Sequence, residues 1–497
     1  MRRPLGEPAA DSGYHKRMRS PILLLACLAV LAVPATRADG LPELGESSQA
    51  DLSPLMEKRV GESIMQEIRH KEPSYLDDAE VSAYLNRIGR RLASNSEGAR
   101  QEFEFFALRD ATLNAFALPG GFIGVHTGLI LAAQSESELA SVLSHEISHV
   151  TQHHIARGFS QQSMSSATML LSLAVAILAA RHNPDAAQGA LIAGQAAGIQ
   201  QQLNYSRDFE READRIGIQL LERSGYDVRG MGSFFERLQR YSRLYENSAP
   251  GYLRTHPLTT ERIADMENRI QALPYRQVPD SLDFLLVRAK LRAQEGTPDE
   301  AVADFDIQVK EHKFSSEFAA RYGLAQALLR AKHYAAAEAQ VAQLRQIKLA
   351  SPLLETLAAE LRLRQNDAAD AARILRAASV SYPQERAIAY AEIDALLIAG
   401  QAKEALGLTV ADLQAYTTDF RMHALQAKTY AMLGQRLQQH RAQGEAYVLQ
   451  GMLLPAIEQF ELAQKAPDGD FYEHSQVDAR LRQLKRRQAE EAKQKKL

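Results

Sequence analysis

The stretch HEISH at residues 145–149 places two histidines four positions apart, with a glutamate directly after the first. On an α-helix, residues i and i+4 lie on the same face, so His145 and His149 can reach one metal ion. Zinc suits two neutral imidazoles together with a third protein ligand and one open position. The adjacent Glu146 could then take a proton from a water molecule that attacks a carbonyl group. The alternative is a polar helix without a chemical role. Apolar neighbours favour the buried metal site: Val142, Leu143, Ile147 and Val150.

A third ligand can come from a second amphipathic helix, which we predict over Tyr205–Ser224. Within it, Glu210 and Asp214 are again four residues apart and share a face. Glu210 can supply the third ligand. Asp214 can accept a ring N–H from a zinc-binding histidine and so fix the tautomer of that histidine. Glu212 points elsewhere and is the less suitable ligand. The alternative is an acidic surface face.

Two more histidines follow the motif. His153 lies four residues after His149 and could resemble another ligand, but three protein groups already complete a zinc site. We therefore predict that His153 and His154 lie on the polar face of the helix or form hydrogen bonds just outside the ligand set.

Several elements must position these side chains. The apolar spacing predicts a helix from Asp77 to about Leu92, and the aromatic residues of 103–108 predict a strand. Residues 114–125 have the pattern of a hairpin with Pro-Gly-Gly at its turn. A helical pattern from Leu129 to about Gly158 contains the histidine motif. The sequence thus predicts helices around a small β-hairpin or sheet.

From residue 274 onward the chain becomes rich in alanine and leucine, and it repeats. Ala337, Ala371 and Ala405 are each 34 residues apart, and each follows a short turn near the start of a second helix. A helix–turn–helix unit of this period is the signature of tetratricopeptide repeats. We predict an α-solenoid of such repeats over 274–480, followed by a charged tail at 481–497. A generic helical bundle is the alternative.

The amino terminus has the features of a cleavable signal peptide over residues 1–38, with Met18 as an alternative start. Basic residues precede an apolar run at 22–33, and small residues ending at Ala38 suit cleavage. The run of about 12 residues is too short to span a bilayer. Cys27, the only cysteine, offers a competing lipidation site. An exported protein without disulfides fits the bacterial periplasm.

The composition narrows the classes of partner. A formal net charge of −3 over 497 residues gives no sign of a strongly basic surface, so we expect no nucleic-acid partner. The uncharged stretch within 167–180 is too short to span a membrane comfortably. We predict a buried core segment there, with peripheral membrane contact as the alternative.

Together, the motifs resemble the gluzincins of peptidase family M48, which combine HExxH with a downstream S-R-x-x-E-x-x-A-D pattern. The resemblance implies a mostly helical protein, with an α+β zincin metalloprotease domain over 39–273 ahead of the repeats. It also implies one Zn²⁺ per chain, held by His145, His149 and Glu210, with Glu146 as the general base. The remaining matching residues are Ser206-Arg207, Ala213-Asp214, Asn114–Gly121, Thr255-His256-Pro257 and Glu261-Arg262-Ile263.

The same resemblance implies roles for further residues. A histidine in the THP segment can approach the zinc and keep the enzyme latent, so His256 is a candidate latch or fourth ligand. The alternative is that His256 caps a helix before Pro257. From the sequence itself, Arg207 is a candidate either to stabilise an oxyanion or to bind a nearby aspartate or glutamate in a structural role. The strand near 122–125 would pair with an extended substrate by strand addition, a mode that reads the backbone.

A signal peptide, this catalytic domain and carboxy-terminal repeats together resemble the periplasmic proteases of Gram-negative bacteria that act in outer-membrane protein quality control. The resemblance implies a zinc endopeptidase with chaperone-like activity, which degrades or assists misfolded or stalled outer-membrane β-barrel proteins. The repeats would dock the outer-membrane β-barrel assembly machinery. The alternative is a mostly latent protease that serves as a chaperone or scaffold through its repeats.

Overall fold

The computed structural model describes residues 53–96, 101–160, 207–244 and 251–494. These residues belong to one compact unit that begins at Ser47. The predicted signal peptide and the segment 167–180 lie outside the described residues. Within the described ranges, none of the helices combines the length and apolar character that a bilayer-spanning segment needs.

Helices surround a small sheet in the amino-terminal part of the described chain. The predicted helix near Asp77–Leu92 is confirmed as α2, where the Asp78 side chain accepts the first backbone N–H groups and Val81, Leu85, Ile88 and Leu92 are buried. The helices are α1 Pro54–Lys71, α2 Ala79–Ala93, α3 Thr127–Ala132, α4 Glu136–Thr151, α5 His154–Ser160, α6 Arg207–Arg223, α7 Arg229–Leu244, α8 Gly251–Thr255 and α9 Thr260–Gln271.

The sheet has three strands in the order β1-β3-β2, where β1 is Glu104–Leu108, β2 is Ala115–Leu118 and β3 is Phe122–His126. The predicted hairpin is confirmed, with β2 antiparallel to β3, while β1 runs parallel to β3. Because β3 lies in the centre, its backbone is already paired on both sides. The prediction that this strand pairs with substrate is therefore wrong. In the described sheet, β2 is an outer strand and can offer an edge.

The helix predicted from Leu129 to Gly158 is divided into α3, α4 and α5. It breaks first at Ala133, whose backbone is extended, and Ser135 then caps α4 by accepting the N–H of Glu138. It breaks again after Gln152, where His153 has φ 51°. This left-handed residue turns the chain, so α5 begins at His154 in a new direction.

Helix pairs make up the rest of the chain, as the 34-residue period predicted. Ala337, Ala371 and Ala405 are each the fourth residue of their helix, and each is buried against a neighbouring helix. The bounds are α10 Leu282–Ala293, α11 Pro298–Lys310, α12 Glu317–Arg330, α13 Tyr334–Gln346, α14 Pro352–Arg364, α15 Ala368–Ser381, α16 Arg386–Ile398, α17 Ala402–Ala415, α18 Phe420–Met432, α19 Arg436–Leu449, α20 Leu453–Gln464 and α21 Phe471–Gln494.

The turns inside these pairs share one backbone geometry. Lys332, Asn366, Gly400 and Gly434 have φ of 63°, 62°, 73° and 75°, and they also lie 34 residues apart. The residue after each one donates its N–H to a carbonyl five residues earlier, at 2.8–3.0 Å. This hydrogen bond is the one that ends helices in the Schellman motif. The period therefore comes from a repeated helix stop as well as from small buried residues.

The repeats contact the protease part through α2. Lys290 of α10 lies 2.6 Å from Asp78 and 2.5 Å from Glu80, and all three are largely shielded from solvent. Arg87 of α2 lies 2.7 Å from Asp283 and 2.9 Å from Glu385 of the repeats. Separating a buried lysine from two carboxylates costs free energy because it leaves buried charges unpaired. This contact therefore fixes α10 against α2.

Helix α21 passes through the predicted charged tail as far as Gln494. Leu481 and Leu484 are buried there, in a core cluster with Leu437 and Phe460. The amino-terminal part of the predicted tail thus closes the last repeat. The boundary between the two domains near Leu273 stays a prediction.

Gly89 allows α2 to lie directly on β1, because a Cβ at this position would be 2.0 Å from the ring of Phe105. We expect Gly89→Ala to lower the free energy of unfolding by about 1–3 kcal/mol, since overpacking forces the buried ring to move. Urea denaturation measures this change. Gly407→Ala is the matched control in a helix with open space around the new methyl group, and it should raise stability by about 0.5–1 kcal/mol. Equal effects of the two substitutions would contradict the tight contact.

Candidate metal centre

Two helices cross at close range to build the centre. Helix α4 carries His145 and His149, and α6 carries Glu210. The crossing is tight because Gly217 of α6 has no side chain, and a Cβ there would lie 3.3 Å from the backbone nitrogen of His145. The segment after α8 adds His256. All four side chains are buried, and one possible ligand atom from each lies within 4.8 Å of the others.

The nitrogen and oxygen atoms of this group point toward one another. His145 Nε2 lies 3.0 Å from His149 Nε2 and 3.4 Å from His256 Nδ1. Glu210 Oε1 lies 3.0 Å from His256 Nδ1 and 3.4 Å from His149 Nε2. Three imidazoles and one carboxylate are the ligand types that zinc takes in proteins. The structure therefore brings together the three predicted ligands and the predicted latch.

Glu146 provides a test of whether the centre fits a metal. The side chain is fully buried, and neither carboxylate oxygen makes a hydrogen bond of good geometry among the described residues; Oε1 lies 3.5 Å from His256 Nε2, and the backbone of Ala117 is also close enough to favour the ionised form. Burial raises the pKa of Glu146, against the opposing charges of His256 and His145. A buried carboxylate without a partner is costly unless a ligand or water uses it. Beside three imidazoles and Glu210, this arrangement fits a bound Zn²⁺ and a water molecule.

The structure places Asp214 behind His145, with Oδ1 3.0 Å from His145 Nδ1. The angle of this contact lies outside hydrogen-bond geometry, but the negative charge of Asp214 favours a proton on Nδ1, so that Nε2 offers its lone pair to the centre once the ring is neutral. Asp214 is itself held by Arg262, whose Nε and Nη2 donate to its two oxygens at 2.7 and 2.8 Å. Arg262 Nη1 also lies 2.7 Å from Glu210 Oε2. One guanidinium thus supports both acidic residues of α6.

Arg262 is a site residue that the sequence reasoning missed, although it lies inside the ERI motif at 261–263. Nothing in the residues around Arg262 indicates that this arginine is buried. Arg207, for which we predicted an oxyanion or structural role, is exposed at the start of α6. The buried guanidinium next to the candidate ligands is that of Arg262.

The ligand charges shift one another's protonation. Burial alone lowers the pKa of His145, but the carboxylates of Asp214 and Glu210 outweigh it and raise the pKa to about 9. Burial lowers the pKa of His149 well below its usual value, and the charge of His145 adds to this effect. Burial opposes ionisation of Glu210, yet the charge of His256 and the hydrogen bonds of His145 and His256 hold its pKa well below the usual range. The centre without metal therefore keeps a proton on His145.

His256 lies on top of this group, held by the short helix α8. The backbone N–H of Tyr252 donates to the carbonyl of Leu113 just before β2, at 3.0 Å. The Tyr252 ring stacks on the His256 ring with centroids 4.6 Å apart. The helix after Pro257 is capped by Thr259, which accepts the N–H of Arg262. His256 directly follows the last residue of α8, and its backbone N–H donates to the carbonyl of Tyr252 at 2.8 Å, so its backbone caps the helix before Pro257 while its side chain faces the centre.

The two remaining histidines of the opening stretch differ in position. His153 is partly exposed, with Nδ1 3.6 Å from Glu57. His154 is fully buried and contacts both His149 and Glu212. Burial lowers the pKa of His154 to about 4, so its ring is neutral at neutral pH. Glu212, the less suitable ligand by its position, indeed faces His154 and not the ligand group.

Zinc binding to the metal-free protein should weaken as the pH falls. A pKa of about 9 for His145 means that a proton must leave this ring before Nε2 can bind a metal at neutral pH. A single displaced proton lowers the apparent affinity about tenfold for each pH unit below this pKa. Competition with a chromophoric chelator between about pH 9 and about pH 7 measures the slope. An affinity independent of pH over this range would contradict the protonated state of His145.

Comparisons with known proteins show which family this chain resembles. The model of "Peptidase family M48" matches residues 79–270. The chain is 32% identical to the β-barrel assembly-enhancing protease of Escherichia coli (strain K12), over 91% of this chain and 93% of that protein. It is likewise 32% identical to the β-barrel assembly-enhancing protease of Yersinia pestis, over 90% of this chain and 92% of that protein. A shorter match is to the metalloprotease LoiP of Escherichia coli, 27% identical over 47% of this chain and 89% of that protein.

The similarity to the first two relatives runs through both the helices that carry the candidate ligands and the repeats that follow. The chain therefore belongs to the β-barrel assembly-enhancing proteases, which are metalloproteases of peptidase family M48.

Proposed function

We propose that this metalloprotease is a zinc-dependent endopeptidase in which His145, His149 and Glu210 hold one Zn²⁺ per chain and Glu146 is the general base. The observation that carries the proposal is the convergence of the buried ligand atoms of His145, His149 and Glu210 beside the fully buried Glu146 carboxylate, which makes no hydrogen bond of good geometry among the described residues and lies 3.5 Å from His256. Bound zinc would supply a Lewis acid that polarises a peptide carbonyl and lowers the pKa of water. Asp214 and Arg262 would orient the ligands.

Glu146 is suited to move protons during hydrolysis. Burial raises the pKa of this carboxylate and so makes it a stronger base than an exposed glutamate. It can accept a proton from the attacking water and later donate one to the nitrogen of the leaving amine. Its first function needs the carboxylate form, which the positive charge of a bound Zn²⁺ would favour.

The outer strand β2 is the place where we propose that substrate binds. An extended peptide can add a strand at its edge through backbone hydrogen bonds, with little demand on side chains. This mode favours unfolded chains that have not yet paired their own strands. It replaces the earlier prediction for β3, whose two sides are occupied in the sheet.

We propose that the protease acts in the periplasm of Gram-negative bacteria, after export by the signal peptide at 1–38, on misfolded or stalled outer-membrane β-barrel proteins. The names of its relatives, β-barrel assembly-enhancing proteases, support this proposal. The repeats would dock the outer-membrane β-barrel assembly machinery, since stacked repeats offer an extended concave surface. The second candidate is a chaperone or scaffold with a mostly latent protease, which the position of His256 favours.

Glu146→Gln should abolish cleavage of an unfolded test protein such as casein while Zn²⁺ stays bound, because the amide cannot accept the proton. Loss of the general base lowers the rate by a factor on the order of 10²–10⁴. Cleavage is followed by gel electrophoresis, with and without a chelator, and zinc content by atomic absorption. Glu236→Gln, the same change on an exposed glutamate of α7, should leave cleavage unchanged.

Cleavage by the Glu146→Gln protein at the wild-type rate would refute the assignment of the base. In cells, Glu146→Gln separates the two candidate functions. An endopeptidase role is lost in the variant, whereas a scaffold role persists.

His256→Ala should raise the rate of casein cleavage. The His256 ring shares the ligand group with His145, His149 and Glu210, and at a bound zinc it would take the position that water and substrate need. We expect an increase on the order of tenfold, which corresponds to removing a contact of about 1.4 kcal/mol. His333→Ala, on an exposed histidine of the repeats, is the control. An unchanged or lower rate in a folded, zinc-loaded His256→Ala protein would count against the latch.

A further inference from the structure

His154 lies next to the metal centre but outside its ligand group. The left-handed turn at His153 begins α5 and brings the ring of His154 back against His149. Nδ1 of His154 lies 2.9 Å from Nδ1 of His149, the ring nitrogen of His149 that faces away from the ligand atoms. His154 therefore approaches the ligand from behind, as Asp214 does for His145.

The hydrogen bonds of the pair define which nitrogen carries each proton. Nε2 of His154 lies 3.2 Å from Oε2 of Glu212, and a carboxylate can only accept. His154 must then donate from Nε2 and accept at Nδ1, so His149 donates from its own Nδ1. This leaves the lone pair of His149 Nε2 directed toward His145 Nε2 and Glu210, at 3.0 and 3.4 Å.

The surroundings of His154 keep its ring in this orientation. The ring stacks on Phe209 with centroids 4.6 Å apart and planes at 10°. Arg157 lies over the same phenyl ring at 4.6 Å, and its Nη1 lies 2.9 Å from Oε2 of Glu212. Glu212 thus accepts from both Arg157 and His154. The imidazole of His154 is fixed between the carboxylate of Glu212 and the ring of His149.

We propose that His154, held by Glu212, is the positioning residue for His149 and fixes the tautomer and ring orientation with which His149 binds the metal. This inference rests on the proposed zinc site. It assigns a role to Glu212, which lies between Glu210 and Asp214 on α6 and reaches the centre from a different side. Each histidine of the HExxH motif would then have its own carboxylate: Asp214 acts directly on His145, and Glu212 acts on His149 through an imidazole.

The test compares zinc affinity in full-length variants by competition with a chromophoric chelator. His154→Phe keeps a flat ring against Phe209 but removes the acceptor, and we expect a 10–100-fold loss of affinity, typical of a lost outer partner. His154→Gln restores one acceptor and one donor, and should return to within about threefold of wild type. The metal-free form of each variant is checked by circular dichroism, which separates folding from metal binding.

If folded His154→Phe binds zinc with wild-type affinity, the proposal is overturned. It is also overturned if His154→Gln loses as much zinc affinity as His154→Phe, because His154 would then act by packing and not by hydrogen bonds. If His154→Phe fails to fold, Glu212→Met decides. It should lose about tenfold in affinity, whereas Glu222→Met, the same change on an exposed glutamate of α6, should lose none. Equal affinities of these two variants would refute the role of Glu212.

The proposed zinc site has its own control in His149→Ala. If this substitution leaves zinc affinity unchanged, the site itself is wrong. If it removes binding and the His154 variants bind as wild type does, the site stands and the positioning role fails.

Discussion

The centre depends on burying several ionisable side chains at the crossing of α4 and α6 without leaving them uncompensated. Removing one partner from a buried ion pair costs about 3–5 kcal/mol, so each group must be held from more than one side. Arg262 meets this need for Asp214 and Glu210 together. The ligand atoms are thereby positioned by the protein itself, which reduces the ordering that metal binding would require.

This constraint explains why segments distant in sequence meet at one place. Gly217 allows α4 and α6 to approach closely. Helix α9 then supplies Arg262, the cation that pairs with the acidic residues of α6. His256, at the end of helix α8, closes the group from above, and the backbone of α8 is hydrogen-bonded to Leu113, two residues before β2. A substrate strand at β2 would lie next to the segment that holds His256. Binding of substrate and release of the latch would therefore take place at adjacent surfaces.

Local periodicity made much of the fold and part of the centre predictable. The i, i+4 spacing of His145 with His149 and of Glu210 with Asp214 follows from helix geometry alone, and the 34-residue period predicted the repeats. The breaks at Ala133 and His153 were missed because no glycine or proline marks them. Arg262 and His154 could not be assigned because their partners lie on other helices, and an arginine or histidine in sequence is equally compatible with a surface.

Helix α4, which carries His145 and His149, also forms hydrogen bonds with the residues that begin the first repeat. Glu136, in the first turn of α4, accepts hydrogen bonds from Ser281 Oγ at 2.7 Å and Tyr84 of α2 at 3.2 Å. In return, Asp280 accepts the backbone N–H of Glu136 at 2.7 Å and so compensates the amino-terminal end of α4. The residues that cap α4 thus include the first residues of the solenoid. A partner that shifts α10 would act on the helix that carries both histidines of the motif, so the proposed docking at the repeats would have a direct physical route to the centre.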